Sequence, residues 1–125
     1  MRYFFEHFEA ENAQYLADTH SESMKAYSIL GIPPAAEFRL TQGRFPPGIG
    51  CDPHTHEWEH AMYIVKGTAK VVIQGEAAIL TEGMLGFVPR DAVHVIENIG
   101  KDELVVLGVS GPPRTEAGYA QLKKT

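Results

Sequence analysis

The 125-residue chain holds one cysteine, Cys51, and one tryptophan, Trp58. A single cysteine cannot close an internal disulfide, which excludes a secreted disulfide scaffold and leaves no CxxC pair for a zinc ribbon or a redox dithiol. Basic charge is also scarce: eleven Lys and Arg against sixteen Asp and Glu give a formal net charge of -5. The basic residues cluster only in the short pair Lys123-Lys124, so binding to a phosphate backbone is excluded as the main role and no nucleic-acid partner is expected. Long apolar runs are missing too. No window approaches the roughly 18 to 20 apolar residues of a membrane span, and Glu6, Glu9 and Glu11 interrupt the apolar stretch that a signal peptide needs. These absences predict a cytoplasmic protein with no membrane partner. A chain of this size buries roughly two thirds of its unfolded surface on folding, enough for one domain with its own core.

Residues 1–22 begin with aromatics (Tyr3, Phe4, Phe5, Phe8) and continue with Ala, Glu, Asn and Gln. Phe5, Phe8 and Leu16 follow a loose helical spacing, which predicts a short N-terminal helix or arm packed on the main body. From Ser23 the grammar changes to short apolar runs punctuated by Gly and Pro, the pattern of an all-β sandwich or barrel. The runs are Met24 to Leu30, Glu37 to Phe45, His60 to Val65, Thr68 to Gln74, Ala77 to Leu80, Met84 to Val88, Ala92 to Asn98 and Glu103 to Ser110. They are rich in β-branched residues, as in Val71-Val72-Ile73, which suit a pleated, half-buried surface. Such strands and turns predict an all-β jelly-roll barrel over residues 23–111, with a polar tail over 112–125.

The sequence is rich in one chemistry-bearing residue. Of six histidines, His54, His56 and His60 fall within seven positions, and His94 lies in a separate strand. Residues two apart on a strand share a face, so His54, His56 and His60 have one parity, continued by the apolar Met62 and Ile64. His94 shares its parity with Ile96. If the two strands face each other across a barrel, four imidazoles converge near one mouth. Neutral imidazole is a ligand for zinc, copper, iron and nickel, so the natural occupant is a metal ion. His7 and His20 lie in the polar N-terminal segment and are expected to play no part.

The stretch from Gly48 through His54-Thr-His56-Glu-Trp-Glu-His60 to Gly67 resembles the first cupin motif, G-x5-H-x-H-x3-4-E-x6-G. Gly83 to Pro89, followed by Arg-Asp-Ala-Val-His94-Val-Ile-Glu-Asn98, resembles the second, G-x5-P-x-G-x2-H-x3-N. The resemblance implies a small double-stranded β-helix holding one divalent transition metal, and often a homodimer. The chain departs from the motifs twice. His60 stands where glutamate is usual, which makes the implied ligand set His54, His56, His60 and His94, with Glu59 as an alternative if a bulge before His60 swings it inward. Asp91 replaces the glycine of the second motif, a substitution that left-handed backbone geometry at Asp accommodates.

An all-imidazole set leaves the ion its full double positive charge, which favours anionic oxygen ligands and resists oxidation of the metal. Mn, Fe, Ni, Cu and Zn all suit such a site, and affinity order alone does not choose among them. Met62, Ile64, Phe87 and Ile96 are candidates for a pocket wall or, alternatively, for core packing. Gln42 and Arg44 precede the turn leading into the first motif, so Arg44 either anchors a substrate carboxylate or is an ordinary surface arginine. Cys51 reads as a small buried hydrophobe, Trp58 as a gate or a cover for the barrel end, and Asn98 as a turn residue rather than a ligand.

The expected partner is a small oxygenated organic substrate. The leading expectation is a metal-dependent dioxygenase-type oxidoreductase, followed by a non-oxidative isomerase or lyase acting on a sugar or uronate. A non-catalytic metal- or ligand-binding protein is the third. The outward parity of the His60 run carries Ala61, Tyr63 and Val65, apolar on this side too, which points to a homodimer interface or cover by the N-terminal arm.

Overall fold

A computed structural model describes residues 25–28 and 37–116. The N-terminal arm expected over 1–22 and most of the tail lie outside the described residues. Eight strands follow in order: β1 (Lys25–Ser28), β2 (Arg39–Phe45), β3 (His60–Lys66), β4 (Ala69–Ile73), β5 (Glu76–Leu80), β6 (Leu85–Val88), β7 (His94–Asn98) and β8 (Leu104–Ser110). They form two antiparallel sheets, β1-β2-β8-β3-β6 and β5-β4-β7. This is the jelly-roll barrel that the strand and turn pattern predicts.

Local chemistry explains the connections. β4 and β5 are joined by the two-residue turn Gln74-Gly75, and both residues have positive φ (50° and 80°). That is the backbone which fits the right-handed twist of a tight hairpin. The Gln74 amide donates to the Val93 carbonyl, and its side-chain oxygen accepts from the Val93 amide, so the turn also pins the approach to β7. β3 carries one irregularity, a register shift at Val65 between Ile64 and Lys66.

The segment before β3 extends the smaller sheet. Residues 48–54 run antiparallel to the free side of β7 through amide-to-carbonyl bonds Gly48 to Asn98, Asn98 to Ile49, and Cys51 to Ile96. Gly50 makes this approach work, because a Cβ there would lie 2.6 Å from the Ile96 carbonyl oxygen. Between the sheets the core gathers Phe45, Met62, Ile64, Val71, Val88, Ile96, Leu104 and Val106. Asn98 closes one end of it. Its buried amide donates to the carbonyls of Phe45 and Asp102 while its oxygen accepts from the Gly100 amide, so it tethers the end of β7 rather than serving as a ligand.

Candidate metal centre

His54 and His94 form a single antiparallel bridge, exchanging both amide-to-carbonyl bonds at 3.1 and 3.0 Å. Paired residues of this kind project side chains to the same face of the sheet, and the two rings lie 4.1 Å apart. His56 follows in an irregular turn. Its carbonyl accepts from the Asp91 amide, and its ring stacks on Trp58 at 4.6 Å and 8°. The parity that His54, His56 and His60 share in sequence is not what aligns them, because chain bends at Glu57 and Trp58 lie between His56 and the start of β3. The convergence survives because the bridge and the turn aim the rings together.

The nitrogens of His54, His56 and His94 available for ligation all lie within 4.8 Å of one another. Each of these rings has its Nδ1 against a backbone carbonyl: Asp52 at 2.8 Å, Trp58 at 3.1 Å and Ala92 at 2.9 Å. A carbonyl oxygen only accepts, so Nδ1 carries the proton in all three and Nε2 carries the lone pair. This carbonyl support is the arrangement that orients metal-binding histidines and raises their basicity. Three neutral imidazoles in one tautomer fit a divalent transition metal. His94 is buried, whereas His54 and His56 are partly exposed, so the centre opens on their side.

His60 starts β3 and brings its ring to 4.9 Å from that of His56 and 4.8 Å from that of His94. It thus lies against the group of three. Glu59 is not drawn inward by a bulge. The Gly111 amide donates to the Glu59 carbonyl, continuing the regular β3-β8 register past His60, and the irregularity of β3 lies at Val65. Asp91 has φ of 63°, the left-handed geometry expected where the second motif has glycine.

Three of the pocket candidates are misplaced. Gln42 and Arg44 alternate with Phe45 and so face away from the core; Arg44 donates to Gln42 Oε1 at 3.0 Å and pairs with Glu103 at 2.6 Å. Phe87 lies opposite Ala61 on the outer face of β6 and is 53% exposed. In each case a one-residue parity step separates pocket from surface. Met62 and Ile96 do face inward, as buried core residues. Cys51 is buried, with its thiol near the Ile96 carbonyl and its pKa raised by desolvation. Trp58 is buried and stacks on His56.

Sequence reasoning missed Arg39, which is only 7% exposed. Its alternation with Phe45 was the available signal. It also missed a collar around the His56 turn. Arg90 donates to the carbonyls of Glu57 (2.8 Å) and Pro112 (2.7 Å), Thr115 donates to Glu57 at 2.6 Å, and Arg114 pairs with Asp91.

An antiparallel jelly roll with imidazoles converging at one end defines a class of barrel proteins built to hold a metal inside. The family model for the cupin domain, Cupin_2, matches residues 42–110, and the chain belongs to that family. A mannose-1-phosphate guanylyltransferase of Salmonella montevideo is 44% identical over 62 residues, which is 50% of this chain and only 13% of that protein. The chain thus corresponds to a small part of such relatives. Among solved structures, a cupin 2 conserved barrel domain protein from Salinispora arenicola superposes with a TM-score of 0.72 at 15% identity, covering 98% of this chain and 97% of that one. A polyketide cyclase from Streptomyces resistomycificus gives 0.71 at 22% identity, covering 93% and 91%. At these identities the structures speak for the fold. Among the described residues, no helix is long and apolar enough to cross a membrane.

Proposed function

We propose that the chain is a divalent-metal-dependent enzyme acting on a small oxygenated organic substrate, with His54, His56 and His94 as ligands and His60 as the fourth. The observation that carries this reading is the clustering of three imidazoles whose ligating nitrogens lie within 4.8 Å of one another, each ring held by an Nδ1-to-carbonyl contact. A bound ion would supply Lewis acidity and a template for chelating substrate oxygens. The residues supply orientation: the carbonyls fix the imidazoles, Trp58 shields one side, and the buried apolar interior limits water.

The primary reaction class is oxygenation of a chelated substrate. A non-oxidative isomerisation, lyase or cyclisation reaction is the second reading, favoured by the neutral donor set, which stabilises anionic oxygen without a change of metal oxidation state. Untagged protein purified without chelators is expected to carry about one transition metal per chain by elemental analysis. Oxygen uptake with diketones, catechols or flavonols supports the first reading, whereas turnover of unsaturated uronates or ketoses under nitrogen supports the second. Metal-free protein active in either assay would overturn both.

We also propose a homodimer formed through the outer face of the larger sheet. Two cross-strand rows there, Val109-Ala61-Phe87 and Leu107-Tyr63-Leu85, carry no charge. A copy of the same chain, itself at -5, meets no like-charge conflict on such a surface.

A further inference from the structure

We propose that Arg90 is a positioning residue of this centre: it clamps the His56 turn between the loop that leads to His94 and the segment that follows β8, and so governs how firmly a divalent metal is retained. This rests on the metal-site reading above. The imidazoles are held in different ways. His60 belongs to the regular pairing of β3 with β6 and β8, and His54 and His94 fix each other through their bridge. His56 lies in no strand. Its ring leans on its own turn, with Nδ1 against the Trp58 carbonyl and the ring stacked on the Trp58 indole. The ligand therefore goes where the turn goes. The loop before β7 ties that turn to the barrel: the Asp91 amide donates to the His56 carbonyl at 2.9 Å, and Arg90 Nη1 donates to the Glu57 carbonyl at 2.8 Å.

The same Nη1 donates to the Pro112 carbonyl at 2.7 Å. One nitrogen thus joins three segments of the chain. The two N–H bonds of a guanidinium nitrogen diverge at a fixed angle in a rigid plane, so they fix the directions of both carbonyls, and the positive charge strengthens both bonds. A lysine ammonium carries the charge but turns freely on its stem. Neighbouring contacts close the clasp. The Gly111 amide donates to the Glu59 carbonyl at 2.9 Å, the Thr115 hydroxyl donates to Glu57 Oε1 at 2.6 Å, and Arg114 pairs with Asp91. Glu57 and Glu59 flank His56 and His60, while Arg90 and Asp91 lead into His94. These bonds end on backbone and carboxylate oxygens, so the clasp acts on the ligands through the chain that carries them. An ion leaves a multidentate site by losing its ligands in turn, and a loosened His56 turn makes the first loss easier.

The test is the rate at which Zn(II)-loaded protein yields its ion to excess EDTA, together with the emission of Trp58. Arg90→Gln is expected to release Zn(II) about 10- to 100-fold faster than wild type, the range typical for loss of an outer supporting partner. Its metal-free form should show red-shifted emission, because the sole tryptophan, buried in wild type, rides on the same turn. Arg90→Lys, which keeps the charge and loses the fixed angle, should release the ion about fivefold faster. Leu104→Ala serves as the control for general destabilisation: Leu104 is fully buried at the far end of β8, about 20 Å along the strand from Ser110, the partner of His60. It should lower the urea midpoint and leave Zn(II) release at the wild-type rate. Release from Arg90→Gln at the wild-type rate would overturn the proposal, and so would equal acceleration in Leu104→Ala. Should Arg90→Gln fail to fold, a wild-type rate in Arg90→Lys would do the same. Failure of wild type to bind Zn(II) overturns the metal-site reading itself, and this proposal with it.

Discussion

At the scale of single residues, the centre depends on which nitrogen of each ring holds the proton. His94 is the buried member of the group, supported by the Ala92 carbonyl and bridged to His54. His94→Ala is expected to weaken Zn(II) or Co(II) binding by more than the 10- to 100-fold that loss of an outer supporting partner typically costs. Trp58 provides the readout, because it is the sole tryptophan and stacks on His56. Titration with Cu(II) should quench its fluorescence with an endpoint near one ion per chain, and the same titration of His94→Ala should lack that endpoint. An unchanged endpoint would remove His94 from the ligand set. Cys51 behaves differently. Burial raises its thiol pKa above 9.0, so the folded protein keeps it protonated when the unfolded chain begins to ionise. Its contribution to stability is therefore complete below about pH 9 and declines as pH rises through the raised value. Native protein at pH 8 should react with a thiol-disulfide reagent far more slowly than urea-unfolded protein, and Cys51→Ala should flatten the alkaline fall in stability.

At the scale of elements, the weight falls on the irregular segment 48–54, which holds His54 against β7. Gly50→Ala places a methyl within 2.6 Å of the Ile96 carbonyl oxygen and 2.9 Å of Glu97 Cα. Both are backbone atoms and cannot rotate away. The segment must lift off β7, at a cost of about 1 to 3 kcal/mol, and the His54-His94 bridge four residues on must loosen with it. The expected result is a lower urea midpoint together with weaker metal binding; a stability loss with unchanged metal affinity would show that the bridge is held independently. This segment also marks where the sequence stopped being legible. The strands β2 to β8 were readable within two residues, since Gly and Pro turns punctuate β-branched runs whose alternation matches a half-buried sheet. The convergence of the histidines is readable from their spacing, although a bridge and a bent turn, and not strand parity, do the positioning. Backbone pairing of residues 48–54 with β7 is a long-range contact with no periodic signature. Arg44 and Phe87 failed for a related reason. The alternation of each strand was visible, but which side was the interior depended on partners in distant strands, and an error of one residue exchanges pocket for surface. Arg39 was lost by the same step.

At the scale of the whole molecule, the unusual feature is the outer side of the five-stranded sheet. Tyr63, Leu85, Phe87 and Val109 are 43%, 63%, 53% and 41% exposed, and the register makes them neighbours across β8, β3 and β6. Most sheets with one solvated face alternate apolar inside with polar outside; here both sides of β3 are apolar. Contiguous apolar surface of this kind marks an interaction site. A second copy presents the same uncharged rows and satisfies the two-fold symmetry of an isologous pair. Wild-type protein is expected to sediment as a dimer at micromolar concentration, burying about 800 Å² per chain, the usual size of a stable interface. Tyr63→Glu combined with Leu85→Lys puts one charge of each sign at neighbouring positions of the grid, where each would have to be desolvated against an apolar partner surface. That variant should dissociate at least a hundredfold more readily while binding Zn(II) as before, because both positions lie on the face of the sheet opposite to His60. A wild-type protein that sediments as a monomer at 100 µM would leave the outer face without this partner; a double variant that still dimerises would place the interface on another surface.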